Sequence, residues 1–202
     1  MMSTGDRKTE NAGSNASASP KPDLFYGELL GEKIIGRGDR VVIRRYMPSD
    51  REAVLELNRK ALGAVPGYSK IKRPACFDDD ILDIDGHYMK GRNDFIVAEL
   101  GGRIVGCASL REVPDKGTNV VEFMRVRVDP LYFRNGIGEE LTSVRYELAR
   151  KRGFEEAYMD TYAIQEASIK LHVLDGWKLT EVLEPAWATD ADTKVFCYRK
   201  KL

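Results

Sequence analysis

VRVDPLYFRNGIGEEL, residues Val126 to Leu141, passes from a β-branched run through a proline and two glycines into a charged stretch. Upstream, NVVEFMRVRVD predicts a strand from its density of valines. Downstream, Ile137, Leu141, Val144 and Leu148 recur at i, i+4, i+7 and i+11, which is one apolar helical stripe; Arg150, Lys151, Arg152 and Gly153 close it with cations and a glycine. The junction is strand, tight turn, helix. A helix begins with amide N–H groups that have no intrahelical partner, and its dipole adds positive potential, so this turn predicts an anion site. Gly136 and Gly138 remove side chains that would hold an anion off the backbone. Taken alone, a G-x-G pair here fits plain turn geometry equally well.

Two nucleotide motifs are excluded. The phosphate-binding loop of NTPases requires a lysine and a hydroxyl after its last glycine, where this chain has Glu139 and Glu140. The dinucleotide fingerprint requires a third glycine where Leu141 stands, and a parallel βαβ setting.

Working outward, DFIVAEL and IVGCASLREV flank a tight Gly-Gly turn, a hairpin signal, and with NVVEFMRVRVD they predict a three-stranded antiparallel meander. Before them VVIRRYM reads as a strand. Ser49 and Glu52 make a capping box for a helix carrying Val54, Leu57 and Ala61. FDDDILDIDGHYMKG places Phe77, Ile81, Ile84 and Tyr88 at helical spacings, weakened by Gly86. After the anion turn come a strand, EEAYMDTY, a helix, QEASIKLHVLDG, and two closing strands, WKLTEV and TKVFCYRK. Residues 1–22 hold almost nothing large and apolar and predict a disordered tail; residues 23–40 predict an extension packing on the domain as a short helix or strand; residues 41–202 form the domain.

With 202 residues, 32 Lys plus Arg and 32 Asp plus Glu, the chain has the size of one domain and no net field to draw it to nucleic acid or an anionic membrane. Cys76, Cys107 and Cys197 are scattered, which argues against a disulfide framework and a zinc site and fits a reducing, cytoplasmic setting. No apolar run approaches the roughly 18 residues of a membrane span, and no signal-peptide core is present.

The residues around the glycine turn resemble the GNAT superfamily of acyl-CoA-dependent N-acetyltransferases. That family's motif is a strand ending V-x-P followed by [QR]-x-x-G-x-[GA] at a helix start, and Val128, Asp129, Pro130, Gly136, Ile137 and Gly138 stand at those offsets. FIVAELGGRIVGCASL resembles its second and third strands, and QEASIKLHVLDGW its N-x-x-A-x-x-L-Y-x-x-x-G-[FW] helix and exit. The resemblance implies an α/β (α+β mixed) GNAT fold, a mostly antiparallel mixed sheet of about seven strands flanked by about four helices. It also implies acetyl-CoA as cosubstrate and no metal. Its pantetheine would pair with the strand backbone at Val126, Arg127 and Val128, and its pyrophosphate would rest on the amides of Arg134, Asn135, Gly136, Ile137, Gly138 and Glu139, with a side-chain contact from Arg134 or Asn135. The side chains of Glu139 and Glu140 should point away from it. Departures are Phe133 for Gln or Arg, Gln165 for Asn, and His172 for Tyr.

Acyl transfer to an amine needs a proton acceptor, because an alkyl ammonium has a pKa of roughly 10, and a proton for the departing thiolate. Glu122 stands where many family members carry a glutamate base; the alternative is a surface carboxylate paired with Arg125 or Arg127. Gln165, Ser168 and His172 form one polar helix stripe that, by resemblance, faces the cofactor. There His172 could replace the family's tyrosine as proton donor, since an imidazolium of pKa about 6.5 can protonate a thiolate of pKa about 8.5. The alternative is a half-buried histidine satisfied by a backbone carbonyl. Tyr158 and Tyr162 are reserve donors or packing residues, and Cys107 reads as core. His87, Tyr88, Asp78, Asp79, Asp80, Asp83 and Asp85 fall in the region that shapes the family's acceptor pocket, as a negative lip or a solvated face. Trp187 falls in a second such region. The predicted function is acetyl transfer from acetyl-CoA to a primary amine, small-molecule or peptide, by direct attack in a ternary complex, with no nucleic-acid or membrane partner and a possible homodimer. The rivals are a non-catalytic acyl-CoA sensor module and a structural domain that binds no CoA.

Overall fold

The computed structural model describes residues 26–36, 38–71, 75–185 and 194–202. Among these, eight strands form one sheet in the order β1-β2-β3-β4-β5-β6-β8-β7. Strands β1 (Leu29–Ile35), β2 (Asp39–Arg45), β3 (Asp94–Leu100), β4 (Arg103–Glu112) and β5 (Val120–Val128) run antiparallel in sequence. The expected meander is its β3–β5 part. Its Gly101-Gly102 turn has both residues at positive φ, the two-residue geometry that matches the twist of a hairpin. The one parallel pairing joins β5 to β6 (Glu156–Tyr162); β8 (Val195–Lys201) and β7 (Lys178–Leu183) complete the sheet.

Helix α4 (Ile137–Lys151) lies on one face. Its expected stripe, Ile137, Leu141, Val144 and Leu148, is buried against Ile43, Ile96, Ala98, Val105 and Val121 of the sheet. The approach is close because a Cβ on Gly106 of β4 would meet Leu141 Cδ1 at 3.1 Å and Ile137 Cγ2 at 3.2 Å. Helix α5 (Glu166–Leu174) sits beside α4, with Ile169 against the same core. On the opposite face α1 (Arg51–Gly63), α2 (Asp79–Leu82) and α3 (Ile84–Tyr88) bury Val54, Leu57, Ile81, Ile84 and Tyr88 against Tyr46, Phe95, Val97 and Cys107.

One local expectation is made specific and two are revised. The family-like core is extended by β1, formed from the 23–40 extension and hydrogen-bonded to β2 from Leu29↔Arg44 to Ile35↔Asp39. The irregular helix divides into α2 and α3 at Asp83, which is non-helical at φ −133° and accepts from Gly86 N at 3.0 Å. The Ser49–Glu52 capping box does not form. Asp50 takes its place, because a buried carboxylate there accepts from Met47 N at 2.8 Å and from Arg44 Nη1 at 2.7 Å, tying the helix start to β2. The 1–22 tail and Trp187 lie outside the described residues.

Candidate functional site

The sheet opens between β5 and β6. They pair only over Val120–Glu122 and Glu156–Tyr158, after which β6 continues on β8 alone. The divergence has a local cause in β5: Met124 pairs with Ser109 and Arg127 with Cys107, so Arg125 and Val126 together oppose Ala108 as a bulge. Arg125 carries the strain at φ 55° and is held there by a buried carboxylate. Its Nε donates to Asp80 Oδ2 at 2.9 Å, its Nη1 to Asp78 Oδ1 at 3.0 Å, and its Nη2 to the Phe77 carbonyl at 2.6 Å. The result is a wedge with the β5 backbone from Phe123 to Val128 along one arm, where the strand edge has no partner in β6.

The wedge leads to the glycine turn. Arg134 and Gly136 have φ of 63° and 76°, and Asn135 between them is not left-handed. Such alternation makes successive N–H groups converge on a concavity suited to an anion. Among the described residues, none of the six amides from Arg134 to Glu139 meets an acceptor; the first satisfied amide of α4 is Glu140 N, on Gly136 O at 3.0 Å. A row of free donors is a cup that needs an anion or water. The Arg134 side chain is exposed and likewise without a partner among the described residues, so it can add charge. Asn135 is turned away, its Nδ2 donating to the Tyr132 carbonyl at 3.2 Å. Glu139 points to solvent; Glu140 is met by Lys33.

On the α1–α3 side, Glu122 and Tyr158 are paired in parallel register at the vertex of the wedge, so they share a face with Asp160 two residues further along β6. Glu122 is buried, and its partner is neither Arg125 nor Arg127 but Arg111, whose Nε donates to Oε2 at 2.7 Å. Burial, aided by the Asp160 charge, pushes its carboxyl above the usual range, while Arg111 opposes the rise. Asp160, not singled out from the sequence, is raised for the same first reason, against Arg111, Arg125 and Lys116. Although accessible by area, it stands deep among protein atoms. The available signal was a charge in mid-strand, within AYMDTY, at period two from Tyr158.

Several of the aspartates are engaged within the fold, while Asp79 is exposed. Asp80 and Asp78 neutralise Arg125, Asp80 also accepts from Tyr88, Asp85 accepts from the Tyr26 hydroxyl at 2.6 Å, and Asp83 caps α3. His87 makes no contact with Glu122 or Asp160 among the described residues. Tyr158 donates to Cys197 Sγ at 3.3 Å, and burial drives its hydroxyl far above its ordinary pKa; Tyr162 packs edge-on against Tyr68. Burial and the Cys197 contact make Tyr158 a poor acid. Burial lifts the Cys107 thiol to about 12, as befits a core residue.

Gln165, Ser168 and His172 do share one stripe of α5, yet His172 is enclosed, edge-on to Trp177. Its Nδ1 lies 2.6 Å from the Ser168 carbonyl, which can only accept, so Nδ1 carries the proton. Burial, helped by the Arg145 charge, lowers the imidazole to about 4. With Nδ1 as donor and the imidazole lowered, His172 fits the alternative of a buried histidine satisfied by a backbone carbonyl, its Nε2 holding a lone pair. Gln165 Oε1 accepts from Thr161 Oγ1 at 3.0 Å, which ties the start of α5 to β6. Among the described residues no group of three or more His, Cys, Asp or Glu is arranged to hold a metal ion, and no helix is long and apolar enough to cross a membrane.

Residues 54–175, more than half of the chain, match the family model described as acetyltransferase (GNAT) family. Among curated proteins, N-acetyltransferase 8 of Mus musculus is 28% identical over 131 residues, covering 61% of this chain and 57% of that one. Probable N-acetyltransferase camello of Xenopus laevis is 30% identical over 127 residues, covering 61% and 58%. The match thus spans little more than half the length of these relatives. Among solved structures, a GNAT-family acetyltransferase of Staphylococcus aureus superposes with a TM-score of 0.64 at 18% identity over 80% of this chain and 98% of that one. PaiA N-acetyltransferase of Thermoplasma acidophilum, solved in complex with coenzyme A, gives 0.61 at 18% over 80% and 99%. At such identities the likeness is one of fold.

Proposed function

This chain belongs to the GNAT acetyltransferase family, and on that premise we propose that it transfers the acetyl group of acetyl-CoA to a primary amine by direct attack in a ternary complex. The observation that carries the reading is the row of six free amides, Arg134 to Glu139, at the mouth of the β5–β6 wedge. The donor set fits coenzyme A: backbone N–H groups at a helix start for a diphosphate, then an unpaired strand edge from Val128 back to Phe123 for the amides of pantetheine. Acetyl-CoA supplies the activated acyl group as a thioester.

Glu122 is the proton acceptor in this reading. Its raised pKa brings it closer to neutrality, where a base combines availability with driving force, and the Arg111 bond fixes one carboxylate oxygen and leaves the other free. Asp160 on the facing arm attracts the acceptor's ammonium. The amine nitrogen gives up two protons in all, one to Glu122 before attack and one to the sulfur as the C–S bond breaks, which requires no imidazolium. His172 acts here as a packed wall of the cleft. Three free thiols, one of them exposed, are consistent with a cytoplasmic setting.

A second reading, a CoA-binding sensor without turnover, draws on the same neutral His172. Thiol release from acetyl-CoA across a panel of amines separates the two. Release with any amine, lost in Glu122→Gln, supports the transferase; CoA binding without release in every case supports the sensor; no binding at millimolar CoA overturns both.

A further inference from the structure

The strand that extends the family core places a lysine on the rim of the amide cup. Along β1 the α4-facing residues are Gly31, Lys33 and Ile35, and they climb the helix one turn at a time. A Cβ on Gly31 would touch Val144 Cγ2 at 3.4 Å and lie 3.8 Å from Glu140 Oε1. Two residues on, Lys33 reaches Gly136, the first glycine of the turn. A Cβ there would fall 2.6 Å from Lys33 Cε and 3.0 Å from its Nζ, so the lysine stem occupies the space that the missing side chain leaves. The register is fixed by pairing with β2, where Lys33 faces Val41.

The ammonium at that spot is weakly engaged. Its one ion pair among the described residues is with Glu140 Oε2 at 3.7 Å, between side chains 31% and 28% exposed. A pair this long and this wet contributes little, and an ammonium has three donors to offer. Glu140 sits in the first turn of α4, where its charge favours the helix dipole but repels an incoming phosphate. Lys33 offsets that repulsion at the place where it would matter.

Resting on the proposed function, we infer that Lys33 is a coenzyme-binding residue, exchanging Glu140 for the diphosphate that the Arg134–Glu139 amides hold. It acts as a point charge on a flexible stem at the cup's rim, supplied by a strand outside residues 54–175.

Binding to the full chain is measured by calorimetry with three probes: CoA, dephospho-CoA, which lacks the 3′-phosphate, and pantetheine, which lacks the whole nucleotide and with it all three phosphates. Lys33→Gln is expected to weaken CoA and dephospho-CoA alike, by about tenfold, to flatten the salt dependence of both, and to leave pantetheine unchanged. Glu140→Gln is expected to tighten CoA by about threefold, a gain that a folding defect cannot produce. Equal CoA affinity in wild type and Lys33→Gln overturns the inference while the function stands. Loss confined to CoA itself overturns it as well, since Lys33 would then read the 3′-phosphate. Absence of CoA binding by the wild type removes the proposed function and this inference together.

Discussion

Arg111 and Glu122 are direct cross-strand partners on β4 and β5, and the Arg111 Nε donates to Glu122 Oε2 at 2.7 Å at the vertex where β5 and β6 part. On the proposed role of Glu122, this burial-raised carboxylate, steadied by one guanidinium, is expected to set the acid limb of the pH–rate profile. With Glu122 as the base, kcat/KM rises with pH through a pKa above the ordinary glutamate range. Because Arg111 lowers that pKa, Arg111→Met moves the limb to higher pH. Glu122→Gln lowers kcat by about 100-fold or more with CoA binding intact. Its thermal stability at pH 7 holds or rises: a raised folded pKa contributes stability below the unfolded value and loses it as pH rises through the folded one. A pH–rate series on the three proteins checks this, and an unshifted limb in Arg111→Met would count against Glu122.

What the sequence made legible is what local pattern controls. The α4 stripe, the Gly101-Gly102 hairpin and the strand–turn–helix junction each follow from spacing within a few residues, and each stands in the structure. Strand β1 was ambiguous because it is an edge strand whose apolar residues do not all face inward: Ile35 is buried but Ile34 is 63% exposed. The acidic run 78–85 left a negative lip and a solvated face both open because the partners of its charges lie outside the run, Arg125 for Asp78 and Asp80 and Tyr26 for Asp85. His172 left two readings open for a related reason. Polarity at helical spacing gives the stripe but not its burial, and burial, helped by the charge of Arg145 on α4, is what lowers the imidazole.

The His172 ring makes stability depend on pH in a defined window. Its folded pKa of about 4 lies below the free value of 6.5, so its contribution is complete above 6.5 and is lost as pH falls toward 4. The full loss is roughly 3 kcal/mol, of which burial is the main cause. His172→Phe is expected to flatten the melting temperature between pH 6.5 and 4 while keeping turnover at pH 7.5 within about threefold of wild type, since a neutral ring donates no proton there. Melting curves at several pH values with one activity assay suffice; a hundredfold fall in kcat at unchanged stability would restore a catalytic imidazole.

Arg145 is fully buried, and its Nε and Nη1 have no partner among the described residues; Nη2 donates to Thr142 Oγ1 at 3.0 Å and the guanidinium lies 4.4 Å over the Phe123 ring. Burial lowers its pKa to about 9, so it is still a cation at neutral pH. A buried charge with unmet donors is commonly better replaced by an apolar side chain of similar size, with gains of about 1–3 kcal/mol. Arg145→Met is therefore expected to raise the melting temperature. It should also raise the His172 pKa, because one of the two charges depressing it is gone. Calorimetry and imidazole titration by NMR read the two effects independently, and a destabilised variant would mean the guanidinium has a partner such as a buried water.

The two glycines of the anion turn differ in what they tolerate. Gly136 is left-handed at φ 76°, and a Cβ there would lie 2.6 Å from Lys33 Cε, so Gly136→Ala meets both backbone strain and a displaced lysine. Strain of this kind costs about 1–2 kcal/mol, and it distorts the alternation that turns the free amides inward. Gly138 is helical, and its Cβ would meet Leu171 Cδ2 at 3.7 Å and Val128 Cγ2 at 3.8 Å, ordinary contacts. Gly138→Ala is therefore expected to keep the KM for acetyl-CoA within about threefold, whereas Gly136→Ala raises it by about tenfold or more, with the KM for the amine acceptor unchanged in both. Steady-state kinetics with each substrate varied in turn decide the matter. Equal effects at the two glycines would mean that side-chain bulk near the anion, and not the left-handed geometry of Gly136, is what the turn excludes.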